Sequence, residues 1–150
     1  MKLGTDLDQL IGYQLQRSNM LAIDDARRAL LPFGVTPAKL TALLLIRANP
    51  GCDQTALGRA LSINRSSAMK LVNFLAERDL IERRPGRDLR TNALYLLPQA
   101  EQRITEMVQA LHDSDARLVE RLSSGERAQL AALLRKLGPA RGRRTKEAAE

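Results

Sequence analysis

The sequence predicts a mainly α-helical chain that carries one small β-hairpin. Three observations predict it. Apolar residues recur at three- and four-residue spacing over most of the 150 residues, which is helix periodicity. Two short helical stretches are separated only by Ser62-Ile63-Asn64. One stretch, from Leu80 to Leu97, changes to strand character around the turn residues Pro85-Gly86.

The first element reads as one long helix. Thr5 or Asp6 caps it, Leu7, Leu10, Ile11, Leu21, Ala22, Ala26 and Ala29 form its stripe, and Leu31-Pro32-Phe33-Gly34 ends it. A helix of that length in so small a chain is expected to pack against a partner chain. A second helix opens at Thr36-Pro37, cap then proline. Its run from Leu40 to Ile46 is apolar nearly all round, which predicts the central core helix.

A short third helix, capped by Asp53, runs from Gln54 to Leu61. After the three-residue turn, Ser62 or Asn64 caps a fourth helix that reaches about Arg78. This is the helix-turn-helix pattern. Strands are expected over Leu80–Arg84 and Thr91–Leu97, with Pro85-Gly86-Arg87-Asp88 as the turn. Pro98 then opens a fifth helix to Leu122, Ser123 and Glu126 read as a capping box, and a last helix runs from Arg127 to Leu137.

The charge balance bounds the partners. Lys and Arg exceed Asp and Glu by seven, which favours a polyanion. Charge alone weighs equally for an ordinary basic protein. Aromatic residues are 3% with no Trp, against a base-stacking platform. No apolar run approaches a membrane span, and Met1 to Asp6 lacks a signal core, so no membrane partner and a cytoplasmic, nucleoid-associated location are expected. One Cys and one His, with no paired acids in a motif, leave little for a catalytic or metal centre, so neither an enzyme nor a cofactor is expected.

The fourth helix carries the expected site. Ala68, Leu71, Val72 and Leu75 fall on its buried face. Arg65, Ser66, Ser67, Met69, Lys70 and Asn73 lie outside that stripe, short or cationic side chains of the kind that reach base edges in a major groove. By itself such a helix reads as a solvated amphipathic face; the hairpin changes that. Arg83, Arg84, Arg87 and Arg90 form a basic finger suited to a neighbouring minor groove, and Asp88 is expected to fix the finger through a charge-assisted bond. Arg84, Arg87 and Arg90 are the expected DNA contacts on it. The predicted fold is therefore a winged helix-turn-helix with long N- and C-terminal dimerisation helices.

At this point the chain resembles the MarR family of bacterial regulators. The resemblance is carried by LTALLLIRANPGCDQTALGRALSINRSSAMKLVNFLAERDLIERRP, by the Asp88-Leu89-Arg90 wing motif and by the closing LSSGERAQLAALLRKL. It implies a homodimer whose terminal helices interlock and whose two lobes reach successive major grooves of a pseudo-palindromic double-stranded operator, about 34–36 Å apart. The organisation expected is a dimerisation helix over 1–34, a winged lobe over 35–97, dimerisation helices over 98–137 and a basic mobile tail over 138–150. Departures from the family fall at Met69, where Thr is common, at Phe74, expected to pack toward the wing, at Leu97, and in a shorter hairpin turn.

The family also implies a small aromatic effector that releases a repressor from its operator. Tyr13, Arg17 and Met20 on the first helix are the expected ligand residues: Arg17 pairs a carboxylate, Tyr13 hydrogen-bonds it, and Met20 lines the wall. Gln16, Arg47 and His112 are more distant candidates. The competing reading gives Arg17 an intersubunit salt bridge and Tyr13 a packing role. An aromatic acyl-CoA thioester as effector, or a constitutive architectural binder with no effector, are the alternatives. Cys52 precedes a helix, where thiol pKa values fall; the redox-sensing branch of the family has its Cys in the first helix, where this chain has none, so Cys52 is expected to be structural or incidental. Arg141 to Lys146 reads first as a solubilising tail, otherwise as extra phosphate contacts to DNA or to the phosphate groups of a ligand such as an acyl-CoA.

Overall fold

The computed structural model describes residues 5–86 and 92–137. In chain order its elements are α1 (Thr5–Gln9), α2 (Ile11–Leu30), a 3-10 turn (Leu31–Phe33), α3 (Pro37–Ala48), β1 (Cys52–Asp53), α4 (Gln54–Ala60), α5 (Arg65–Ala76), β2 (Ile81–Pro85), β3 (Asn92–Leu96), α6 (Pro98–Leu118) and α7 (Ser124–Leu137). The tail at 138–150, and with it the expected role of Arg141 to Lys146, lies outside the described residues. No single helix among the described residues is long and apolar enough to cross a membrane.

Helix starts follow from their first residues. The Thr36 hydroxyl accepts from the Lys39 N–H at 3.4 Å, with Pro37 in the first turn. Asp53 accepts from the Ala56 N–H at 2.7 Å. Asn64, not Ser62, caps α5, accepting from the Ser67 N–H at 2.8 Å. Ser123 and Glu126 close the capping box reciprocally: the Ser123 N–H donates to Glu126 Oε2 at 2.8 Å and the Glu126 N–H to Ser123 Oγ at 3.4 Å. α7 begins at Ser124, three residues before the expected start, and α6 ends at Leu118, four residues before the expected end.

The single N-terminal helix is in fact two. Leu10 is extended, φ −79° and ψ 110°. The Gln14 side-chain amide fills the break, donating to the Asp8 carbonyl and to Asp8 Oδ1, both at 2.9 Å. A side chain thus takes a backbone acceptor that the interrupted ladder leaves open.

Ser62 and Asp79 close the helix-turn-helix unit. Ser62 has φ 55° and Asp79 φ 54°. At the first, the Ile63 N–H reaches the Gly58 carbonyl at 3.0 Å and the Ser62 N–H the Arg59 carbonyl at 3.2 Å. At the second, Leu80 bonds to Leu75 at 3.1 Å and Asp79 to Ala76 at 3.0 Å. Both are Schellman motifs with a non-glycine residue in the left-handed position.

The sheet is antiparallel in the order β1-β3-β2. β2 and β3 pair in the register Ile81↔Leu96, Arg83↔Leu94 and Pro85↔Asn92. The two-residue β1 adds Cys52↔Leu94 on the far side of β3. α3 is central, as its all-round apolar run requires: Leu40, Leu43 and Ile46 are fully buried with Leu75, Leu80, Leu94, Ile104 and Met107. α2 packs along α6 and the two are tied at Asp25. Its Oδ2 accepts from the buried Ser114 hydroxyl at 2.7 Å and from Arg117 at 3.0 Å, and its Oδ1 from Arg28 at 3.4 Å. The Ser114 hydrogen bond, the largest cause, holds the Asp25 carboxyl below its ordinary value together with Arg117 and Arg28, against the opposing effect of burial, which is second in size.

Candidate nucleic-acid interface

α5 is set by its apolar side. Ala68, Val72 and Leu75 are buried, Leu71 is half-buried, and α4 packs against the same side. The approach of the two helices is close because Gly58 of α4 has no side chain: a Cβ there would lie 3.2 Å from the Ala68 Cβ. Arg65, Ser66, Ser67, Met69, Lys70 and Asn73 are all exposed, with Met69 at 50% of its surface. The structure therefore brings all six expected α5 residues to solvent, beginning at the positive end of the helix.

The wing meets that face through Arg83. Its guanidinium donates to Oδ1 of Asn73. Side chains alternate along a strand, so Arg84 points to the other side of β2. There its Nε donates to Glu82 Oε1 at 2.9 Å and its Cζ lies 4.5 Å from the Tyr95 ring centroid. Arg84 was expected among the DNA contacts; its guanidinium is engaged by Glu82 and Tyr95, while Arg83 stands beside α5. Both arginines are exposed, so only the strand register, with Ile81, Arg83 and Pro85 on one face and Glu82 and Arg84 on the other, tells them apart. Arg87, Asp88 and Arg90, the rest of the expected wing site, lie outside the described residues.

Phe74, expected to pack toward the wing, instead has both the Lys39 ammonium and the Arg78 guanidinium against its ring. Burial, then the charge of Arg78, lower the Lys39 pKa.

The expected ligand residues form a looser group. Tyr13 is half-buried, Arg17 and Met20 are exposed, and the Arg17 Cζ lies 5.9 Å from the Tyr13 ring centroid. Arg47 pairs with Glu101 at 3.8 Å, and His112 is exposed. Two cavities, of about 370 Å³ beside Tyr95 and Pro50 and about 170 Å³ beside Cys52 and Leu57, do not include Tyr13, Arg17 or Met20. The Cys52 thiol is pushed up, by burial first and then by the Asp53 carboxylate, so the lowering that a helix start suggests does not occur.

A recognition helix beside a basic wing, on a helix-turn-helix carried by two packed terminal helices, defines a winged helix-turn-helix DNA-binding protein. Comparison with known proteins narrows the class. The MarR family model matches residues 33–90. A protein assigned to transcriptional regulation of the hcr operon in Thauera aromatica is 36% identical over 129 residues, 85% of this chain and 78% of that protein. The HTH-type transcriptional regulator BilQ of Clostridium symbiosum is 31% identical over 116 residues, 77% of each chain. The transcriptional repressor CouR, solved on a 23-mer DNA duplex, shares the fold with a TM-score of 0.83 and 28% identity, over 91% of this chain and 99% of that one. The chain belongs to the MarR family. It is a DNA-binding transcriptional regulator and not an enzyme.

Proposed function

We propose that the chain is a homodimeric repressor that occupies a pseudo-palindromic operator and leaves it when a small aromatic acid binds. The observation that carries the DNA reading is the exposed row of Arg65, Ser66, Met69, Lys70 and Asn73 beside Arg83 of the wing. Repression is supported by the likeness to CouR, itself a repressor.

The dimer is supported by apolar surface. Ile11, Leu21 and Leu137 expose 73%, 63% and 66% of their area, and α7 has no buried residue in the single chain. A surface of this kind needs a partner, and a second copy supplies two-fold symmetry to match a pseudo-palindrome. The effector is supported by the Tyr13–Arg17 pair, an aromatic face with an exposed cation above it, which suits an aromatic carboxylate. An aromatic acyl-CoA thioester is the alternative effector.

The test has two parts. Light scattering should give twice the 16.6 kDa chain mass, and Leu133→Asp with Leu137→Asp should yield monomers that bind the operator weakly. Anisotropy on operator DNA, with aromatic acids and their thioesters added, should show release that Arg17→Ala abolishes. An isotherm unmoved by every aromatic compound assigns the chain to constitutive binding.

A further inference from the structure

Two cations share one aromatic ring on the recognition helix. Lys39 Nζ lies 3.3 Å from the Phe74 ring centroid and Arg78 Cζ 4.3 Å from it. The ring attracts each of them, but they repel one another. Among the described residues neither forms an ion pair, although Glu77 and Asp79 flank Arg78 in sequence. Both are nevertheless drawn to the one ring, near enough that the charge of Arg78 acts on Lys39.

Two further contacts hold them. The Arg78 guanidinium lies against the turn into α3, where a Cβ on Gly34 would meet Arg78 Nη1 at 3.0 Å. Lys39 is part-buried in the first turn of α3, where its own charge is disfavoured by burial and by Arg78. A bound anion would offset both by favouring the charged form of Lys39.

The place of the cluster is informative. Successive helix residues are about 100° apart, so Phe74 faces a different flank of α5 from Asn73, which meets the wing. A helix in the major groove has a sugar-phosphate strand along each flank. The wing stands on one flank of α5, and Lys39 with Arg78 on the flank toward α3.

We propose that Lys39 and Arg78, both seated against Phe74, form a phosphate-binding site on the α3 flank of the recognition helix. Two sources present this chemistry: the operator backbone outside the bases that α5 reads, and a phosphate-bearing small molecule. Only the first source rests on the DNA reading.

The experiment compares the full-length protein with Lys39→Gln, Arg78→Gln and the double variant, and with the charge-preserving Lys39→Arg. In the DNA arm, operator affinity is measured through a salt titration. If the backbone is the source, each glutamine lowers the slope of log K against log salt by about 0.9. The loss is the same on operator and unrelated duplex, and Lys39→Arg retains the slope. In the small-molecule arm, inorganic pyrophosphate is titrated calorimetrically without DNA. If a free ligand is the source, the wild type binds pyrophosphate, the double variant does not, and the DNA slopes agree. Equal slopes together with pyrophosphate binding that is absent or unaltered by substitution overturn the site. Thermal melts separate unfolding from lost binding, since a variant that keeps a single cooperative melt above the assay temperature is folded when its binding is read. A wild type that binds no duplex, yet binds pyrophosphate through Lys39, refutes the DNA reading and leaves the site standing.

Discussion

Arg83 on the wing donates to Oδ1 of Asn73 on the recognition helix. The bond fixes which way the amide faces. Adenine is read by an amide that accepts and donates together. With its oxygen turned to Arg83, Asn73 offers its Nδ2 hydrogens outward. Those donors suit O6 and N7 of guanine, or O4 of thymine. Selection from randomised half-sites should therefore return G or T under Asn73, with A disfavoured by about 1 kcal/mol. Arg83→Ala should admit adenine at that position and weaken binding about tenfold. An affinity loss with an unchanged base preference would reduce Arg83 to a structural brace.

That relationship marks how far the sequence could be read. The α5 face was legible because a buried stripe at 3.6-residue spacing leaves only one side for solvent, and all six expected residues lie there. The caps at Thr36, Asp53 and Ser123 were legible because each is a local bond between residues three apart. The break at Leu10 was not, since its residue type signals no turn and the Asp8–Gln14 bonds that bridge it span six residues. Nor was β1, whose two residues become a strand only against β3, some forty positions later. Arg83 and Arg84 look alike in sequence; the strand pairing separates them, and no local pattern reports that Asn73 or Tyr95 awaits each one.

Ser62 sits in the left-handed region at φ 55°, in the turn that orients α5. A side chain in that conformation costs about 1 kcal/mol, and glycine does not carry that cost. Ser62 is exposed. Ser62→Gly should therefore stabilise the fold by about 0.5–1 kcal/mol in urea titration, with DNA affinity unchanged. A lower midpoint would mean that the serine hydroxyl makes a compensating bond in the turn.

Cys52 pairs with Leu94 at the edge of the sheet and is half-buried beside Leu57 and Ala60. Burial and the Asp53 charge raise its pKa, so the thiolate that peroxide attacks is scarce at neutral pH. Alkylation by iodoacetamide at pH 7 should be slower than for a free cysteine, and should accelerate on Asp53→Asn. Operator binding should survive millimolar peroxide and be unaffected by Cys52→Ser. Release of DNA by peroxide that Cys52→Ser prevents would restore the redox reading.

Asp25 ties α2 to α6, and with it the N-terminal helices to the base of the winged lobe. Its carboxyl is held below the ordinary value of 3.8, chiefly by the Ser114 hydroxyl and then by Arg117 and Arg28. A carboxylate with a lowered folded-state pKa stabilises the fold fully above its unfolded-state pKa. That stability is lost as pH falls through the folded-state value. The tie should therefore be intact at neutral pH and fail only on strong acidification, below the ordinary carboxylate range. Ser114→Ala removes the largest cause of the shift. It should lower the melting temperature at pH 7, and should make stability between pH 5 and 3 less steep in pH, because the folded and unfolded values of Asp25 then lie closer together. Arg117→Ala should do the same more weakly, its guanidinium being half-exposed at 56%. Acid limbs that superpose for wild type and Ser114→Ala would show that Asp25 titrates alike in both states and that packing alone joins the two helices.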